Sequence, residues 1–204
     1  MDLSQISKKL NNKINLSTPG GLFVLVFLVL VVTRLIYILL PTKMFWDASV
    51  YIGMAEYIAS FREIGVWEFF RPPVLPIMFS IGKFIGLPII GWAKFLTLLA
   101  GAGSLYLIYK IGEKIRPFAG VFASMALGVS TLFFSYSSVP VTEVFGVFFS
   151  LLALYFLFTR ELYFVSGLLV GLCFLARFPY GLLVPIFCLG FLYFDWKEKN
   201  LRIQ

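Results

Sequence analysis

The run Gly21–Leu40 constrains this chain most. It holds 20 residues and one charge, Arg34, near its end. About 20 consecutive apolar residues cross the hydrocarbon core of a bilayer as a helix. Water is absent there, so the backbone must satisfy its own hydrogen bonds. The remainder agrees: the chain is 60% hydrophobic and 13% charged, against roughly 45–50% and about 25% for soluble domains. These values exclude a soluble globular fold and predict an all-α, polytopic transmembrane bundle. The 24 phenylalanines suit lipid-facing helices.

A net charge of +7 raises nucleic acid as a partner. The Lys and Arg residues flank apolar spans, however, as the positive-inside rule requires, so no nucleic acid is expected. Cys173 and Cys188 lie inside apolar runs without metal-ligand spacing and read as small hydrophobes. Histidine is absent, which leaves proton transfer to carboxylates, Lys, Tyr or water. The segment 1–19 is polar and lysine-bearing. The run after it has no small-residue cleavage site, so it reads as an uncleaved first helix.

Five further spans are expected: Trp92–Ile111, Pro117–Ser138, Val144–Thr159, Leu162–Ala176 and Phe178–Phe194. Phe178-Pro179 separates the last two. The apolar piece Pro72–Pro88 is broken by Lys83, and the 11 residues before that lysine suit an interfacial helix better than a span. With that piece on the surface, Lys8, Lys9, Lys13, Lys110, Lys114, Arg116, Arg160, Lys197, Lys199 and Arg202 all fall on one side, the cytoplasmic one. The expectation is six spans over 20–195 with both termini cytoplasmic, including the tail 196–204. The setting is a cell (plasma or inner) membrane, with the active face outward.

The loop Pro41–Gly91 then lies on the outer face. Asp47–Phe61 reads as an amphipathic helix, with Val50, Tyr51, Met54, Tyr57, Ile58 and Phe61 at helical spacing. Gly65-Val66-Trp67 ends it. Arg71-Pro72-Pro73 opens a second helix, which runs to Ile85. Asp47 stands between aromatics at the membrane exit, where lipid-linked chemistry needs a base.

These residues form a pattern. A first span leads to an aromatic-flanked Asp on a juxtamembrane helix, and Phe69-Phe70-Arg71-Pro72-Pro73-Val74-Leu75-Pro76 opens a second helix. Val141-Thr142-Glu143 then returns to the same face, and Ser166–Pro179 closes the order. The chain resembles the GT-C glycosyltransferases over residues 20–195, and in pattern the protein O-mannosyltransferases and aminoarabinose–lipid A transferases. The resemblance implies transfer of a sugar from a polyprenyl-phosphate donor to an acceptor (protein, lipid or glycan) outside the membrane. It implies that Asp47 is the general base or acceptor-orienting group and that Glu143 is the second acidic residue. Arg71 and Arg177 match the basic residues that meet the donor phosphate. Two positions depart from the pattern. Val50 stands where aminoarabinose transferases carry Arg, and Arg71 where mannosyltransferases carry the His of His-Pro-Pro. Relatives usually continue through more spans, so a longer enzyme, or a second chain completing the bundle, is expected.

Each residue also has a structural reading. Asp47 is a good N-cap, and Glu143 would cap the span from Val144. Arg71 and Arg34 would snorkel, and Arg177 would pair with a carboxylate. Tyr51 and Trp46 read either as interfacial anchors or as substrate contacts. No cofactor is expected. A divalent cation between Asp47 and Glu143 lacks a third ligand. The rival functions are a non-catalytic subunit presenting a lipid-linked sugar and a small transporter. The transporter would need ionisable residues at mid-membrane, whereas these charges sit at span ends.

Overall fold

The computed structural model describes residues 16–40, 44–190 and 192. The expectations for most of the N-terminal segment, for the end of the span Phe178–Phe194 and for the tail 196–204 lie outside the described residues. Among the described residues eight α-helices follow one another: α1 Pro19–Leu39, α2 Trp46–Ala59, α3 Val74–Phe84, α4 Ile89–Ile115, α5 Ala119–Val129, α6 Thr131–Tyr136, α7 Thr142–Arg160 and α8 Tyr163–Ala176. A last apolar helical segment, Phe178–Gly190, opens with the 3-10 turn Phe178–Leu182. No strand occurs among the described residues. Three helices, α1, α4 and α7, are long and apolar enough to cross a membrane; α3, α5, α8 and the last segment are shorter and apolar. The bundle is therefore that of a multi-span membrane protein.

Local chemistry sets the ends of these helices. Pro19 sits in the first turn of α1, and the Gly21 N–H donates to Thr18 Oγ1 at 3.2 Å, which satisfies one orphan donor. The α4–α5 turn is tight because Gly112 and Gly120 meet backbone to backbone. A Cβ on Gly120 would lie 2.1 Å from the Tyr109 carbonyl oxygen. Glu113 accepts the Gly120 N–H at 3.2 Å.

Three cross-links show which helix ends lie together. Lys94 near the start of α4 donates to the carbonyl of Ile38 at the end of α1 (3.3 Å). Lys114 at the end of α4 donates to the carbonyl of Phe158 at the end of α7 (2.6 Å). Arg177, just past α8, donates to Thr142 at the start of α7 (3.1 Å). One end of the bundle thus gathers the end of α1, the starts of α4 and α7 and the end of α8. The α2–α3 hairpin packs over that end: Tyr51, Met54, Leu75 and Phe79 join Ala93, Phe145, Cys173 and Ala176 in one buried core.

Several expectations are corrected. The expected span Pro117–Ser138 is two helices, broken at Ser130. Arg34 does not snorkel. It is fully buried and donates to Ser137 Oγ at 2.9 Å and to the carbonyls of Leu30 (2.9 Å) and Gly128 (2.8 Å). Its guanidinium lies 5.1 Å from the Phe134 ring centroid. These bonds satisfy the guanidinium inside the bundle, so it has no need to reach the interface. Helix α2 begins one residue earlier than expected, with Phe45 at the cap position and no side-chain cap bond, so Asp47 is a first-turn residue and not the N-cap. Helix α7 likewise begins at Thr142, with Val141 at its cap, and Glu143 falls in its first turn. Phe61 lies beyond α2 and is exposed. Cys173 is buried, whereas Cys188 is exposed on the chain surface.

Candidate functional site

Two ion pairs stand at the covered end. Arg71 lies between helices, where Pro72-Pro73 stops the chain from turning helical until Val74. Its Nη1 donates to Asp47 Oδ1 at 2.9 Å and its Nε to Glu68 Oε2 at 2.5 Å. Glu143 Oε1 accepts from Arg177 Nη1 at 2.6 Å, and the same nitrogen reaches Thr142 Oγ1 at 3.1 Å. Arg177 is held by the extended backbone that ends α8, beyond which Pro179 forces the next turn.

Tyr51 joins the two pairs. It is buried on the inner face of α2, with the Arg71 guanidinium carbon 5.3 Å from its ring centroid. Its hydroxyl lies near Arg71 and Thr142. Asp47, Arg71, Tyr51, Thr142, Arg177 and Glu143 thus form one polar cluster. Thus Asp47, Arg71, Tyr51, Glu143 and Arg177 are brought into one site, although Arg71 and Arg177 are far apart in sequence. Thr142 and Glu68 are members that the sequence reading passed over. Glu68 stood at i−3 from Arg71, a spacing that invites pairing; Thr142 had only its neighbour Glu143 as a signal.

Electrostatics hold Tyr51 and Arg71 in one protonation state near neutrality. Burial raises the Tyr51 pKa above its ordinary 10.0, and Asp47 adds to this against the opposing effect of Arg71; the phenol stays protonated. Burial pulls the Arg71 pKa down, but bonds to Glu68, Tyr51 and Asp47 outweigh it and the net shift is upward. Arg71 therefore remains a cation.

The two cations differ in what they have left to offer. Arg71 is engaged by two carboxylates and a phenol. Arg177 uses only Nη1 among the described residues. It lines a cavity of about 300 Å³ together with Glu143, Tyr180, Leu127, Leu132 and Val147. A charged pair thus shares a cavity with a largely apolar lining. Asp47 Oδ1 accepts from Arg71, and the side chain is 58% exposed, so the carboxylate remains accessible. Among the described residues no three His, Cys, Asp or Glu side chains come together as a metal site would need, and Asp47 and Glu143 are each engaged by an arginine.

A family model described as dolichyl-phosphate-mannose-protein mannosyltransferase matches residues 71–203, more than half of the chain. The chain belongs to this family. Arg71, Glu143 and Arg177 fall within the matched residues of the mannosyltransferase family; Asp47 and Tyr51 precede them. No curated protein and no solved structure matches the chain. Membership in the family, with the helical membrane architecture, supports a membrane glycosyltransferase-like role.

Proposed function

We propose that the chain transfers a sugar from a polyprenyl-phosphate carrier to an acceptor on the outer face of the membrane. In this reading it crosses six times, with α2 and α3 lying along the outer surface. The observation that carries the reading is the cluster of two ion pairs, Asp47–Arg71 and Glu143–Arg177, beside the largely apolar cavity that Arg177 lines. A lipid phosphate needs a cation at headgroup depth and an apolar wall for its first isoprene units. Arg177 has free guanidinium donors for two phosphate oxygens, and Leu127, Leu132 and Val147 supply the wall.

The transfer is inverting. The acceptor hydroxyl attacks the anomeric carbon as Asp47 takes its proton on Oδ2. The bond from that carbon to the phosphate oxygen breaks, and its electron pair leaves on the phosphate. Arg177 stabilises the added negative charge, an electrostatic role that grows towards the transition state. Arg71 holds Asp47 in place, and Tyr51 and Thr142 fix the distance between the base and the phosphate site.

The test uses the full chain in liposomes containing a polyprenyl-phosphate radiolabelled sugar. Arg177→Ala should weaken donor retention at least tenfold, while Lys114→Ala, at the opposite end of the bundle, should leave it unchanged. Equal retention by wild type and Arg177→Ala would remove the phosphate assignment.

A further inference from the structure

A second cavity, larger than the one at Arg177, lies beside the C-terminal end of α2. Its volume is about 600 Å³, and Tyr57, Ile58, Phe61, Arg62, Trp67 and Phe69 line it. Four of the six are aromatic. The Tyr57 and Trp67 rings stack, with centroids 6.0 Å apart and planes 30° from parallel. Phe61 and Phe69 are 82% and 89% exposed. Arg62 forms no ion pair among the described residues. Open rings of this kind, with one unpaired guanidinium, mark a binding surface.

The backbone argues that this surface lies outside the hydrocarbon core. Phe61 and Arg62 are both left-handed, at φ 55° and 79°, a conformation that costs non-glycine residues about 1–2 kcal/mol each. The turn continues through Gly65 (φ 97°), with Ser60 Oγ accepting the Ile64 N–H at 2.9 Å. Irregular backbone of this kind is not tolerated against lipid, and Arg62 and Glu63 lie within it.

The cavity is also connected to the site. The segment Gly65–Arg71 runs back along α2. The Val66 N–H donates to the Gly53 carbonyl at 3.3 Å, and Arg71 meets Asp47. Trp67 and Phe69 therefore pave the way from the cavity to Asp47. Tyr57 is ten residues past Asp47 on α2, about 15 Å of helix at 1.5 Å per residue. A single sugar is too short for that distance; several linked sugars are not.

We infer that this cavity holds the carbohydrate part of the acceptor, an oligosaccharide whose terminal hydroxyl reaches Asp47. The C–H faces of sugar rings pack on aromatic rings, and their edge hydroxyls take hydrogen bonds from a guanidinium; Tyr57, Trp67, Phe69 and Arg62 provide both. The inference rests on the transferase reading for the role of the bound glycan, but binding is measured without turnover.

The experiment is saturation-transfer NMR on the full chain in nanodiscs, without lipid-linked donor. The probes are neutral linear tetrasaccharides of mannose, glucose and N-acetylglucosamine. At least one should bind, and Phe69→Ala, at an exposed position that leaves the core intact, should weaken it tenfold or more. Tyr57→Ala should do the same. No binding by any of the three at millimolar concentration overturns the inference, as does equal binding by wild type and Phe69→Ala. Labelling of residues 61–69 by a photoactivatable phospholipid also overturns it, since the surface would then lie in the bilayer. A chain that binds the tetrasaccharide yet transfers nothing defeats the transferase reading alone. One that transfers sugar yet binds none of the three defeats this inference alone.

Discussion

Arg34 Nη2 donates a 2.8 Å hydrogen bond to the carbonyl of Gly128, across 94 positions of sequence. Gly128 lies in the last turn of α5, where carbonyls lack helical partners. The same guanidinium holds Ser137, at the end of α6 on the path to Thr142 and Glu143. Arg34 thus braces the broken helix that delivers one half of the candidate site.

Replacement of Arg34 by Ala should destabilise the fold strongly. Gly128 and Ser137 would each lose a buried partner, at about 1–3 kcal/mol per unsatisfied group. The thermal midpoint in detergent, followed by circular dichroism, should fall by several degrees. Arg34→Lys should fall in between, because an ammonium cannot reproduce the guanidinium's fixed fork of donors. An unchanged midpoint for Arg34→Ala would show the brace to be idle.

Asp47→Asn separates chemistry from structure. The Asp47 side chain is 58% exposed, and ion pairs at such positions contribute roughly 0–1 kcal/mol. Asn keeps the shape but cannot take a proton. Transfer should fall by about 10²–10⁴-fold, with the melting midpoint nearly unmoved. Turnover within a few-fold of wild type, in a radiolabelled-sugar assay, would reduce Asp47 to a partner for Arg71.

Tyr51 and Thr142 should behave as a coupled pair. Tyr51→Phe and Thr142→Val each remove a hydroxyl that lies between the two ion pairs, and Thr142→Val also removes the Arg177 contact. A double-mutant cycle on donor binding should give a coupling energy of about 0.5–1.5 kcal/mol; additive effects would mean that the two halves act separately. The pH dependence follows from the raised Tyr51 pKa. The folded value lies above the ordinary 10.0, so the fold favours the protonated phenol. That contribution is complete below about pH 10 and is lost as pH rises through the folded value. Wild-type stability should therefore drop above pH 10 more steeply than that of Tyr51→Phe.

The two levels of structure were not equally legible in the sequence. Long apolar runs bounded by charges announced α1, α4 and α7, because lipid demands that pattern. The break at Ser130 was silent: Ser-Thr carries neither Pro nor Gly, and the bend is braced by Arg34 from a distant helix. Arg34 itself was misread because a charge near a span end ordinarily snorkels, and its true partners lie far along the chain. The acidic and basic members of the site were readable as charges at span ends. The link through Tyr51 and Thr142 was not, since a phenol at helical spacing looks like any core aromatic. The left-handed turn at Phe61-Arg62, which opens the second cavity, uses residues that ordinarily avoid that conformation, so no local signal marked it.

Orientation in the membrane gives the last prediction. The Lys114–Phe158 bond places Lys114 and Arg160 at the end of the bundle opposite Asp47, and Lys110 and Arg116 flank Lys114 in sequence. A cluster of short, basic connections is ordinarily retained on the cytoplasmic side, so Asp47, Arg71, Glu143 and the aromatic cavity are expected outside. In a Cys173→Ala, Cys188→Ser background, a cysteine at position 114 should resist a membrane-impermeant maleimide until the cells are opened. A cysteine at position 63, in the exposed turn, should react in intact cells. Reaction at 114 and protection at 63 would invert the chain and place the site on the cytoplasmic face. Reaction of both from outside would contradict the bundle itself, since position 114 lies at the far end of α4, a continuous helix of 27 residues, about 40 Å at 1.5 Å per residue.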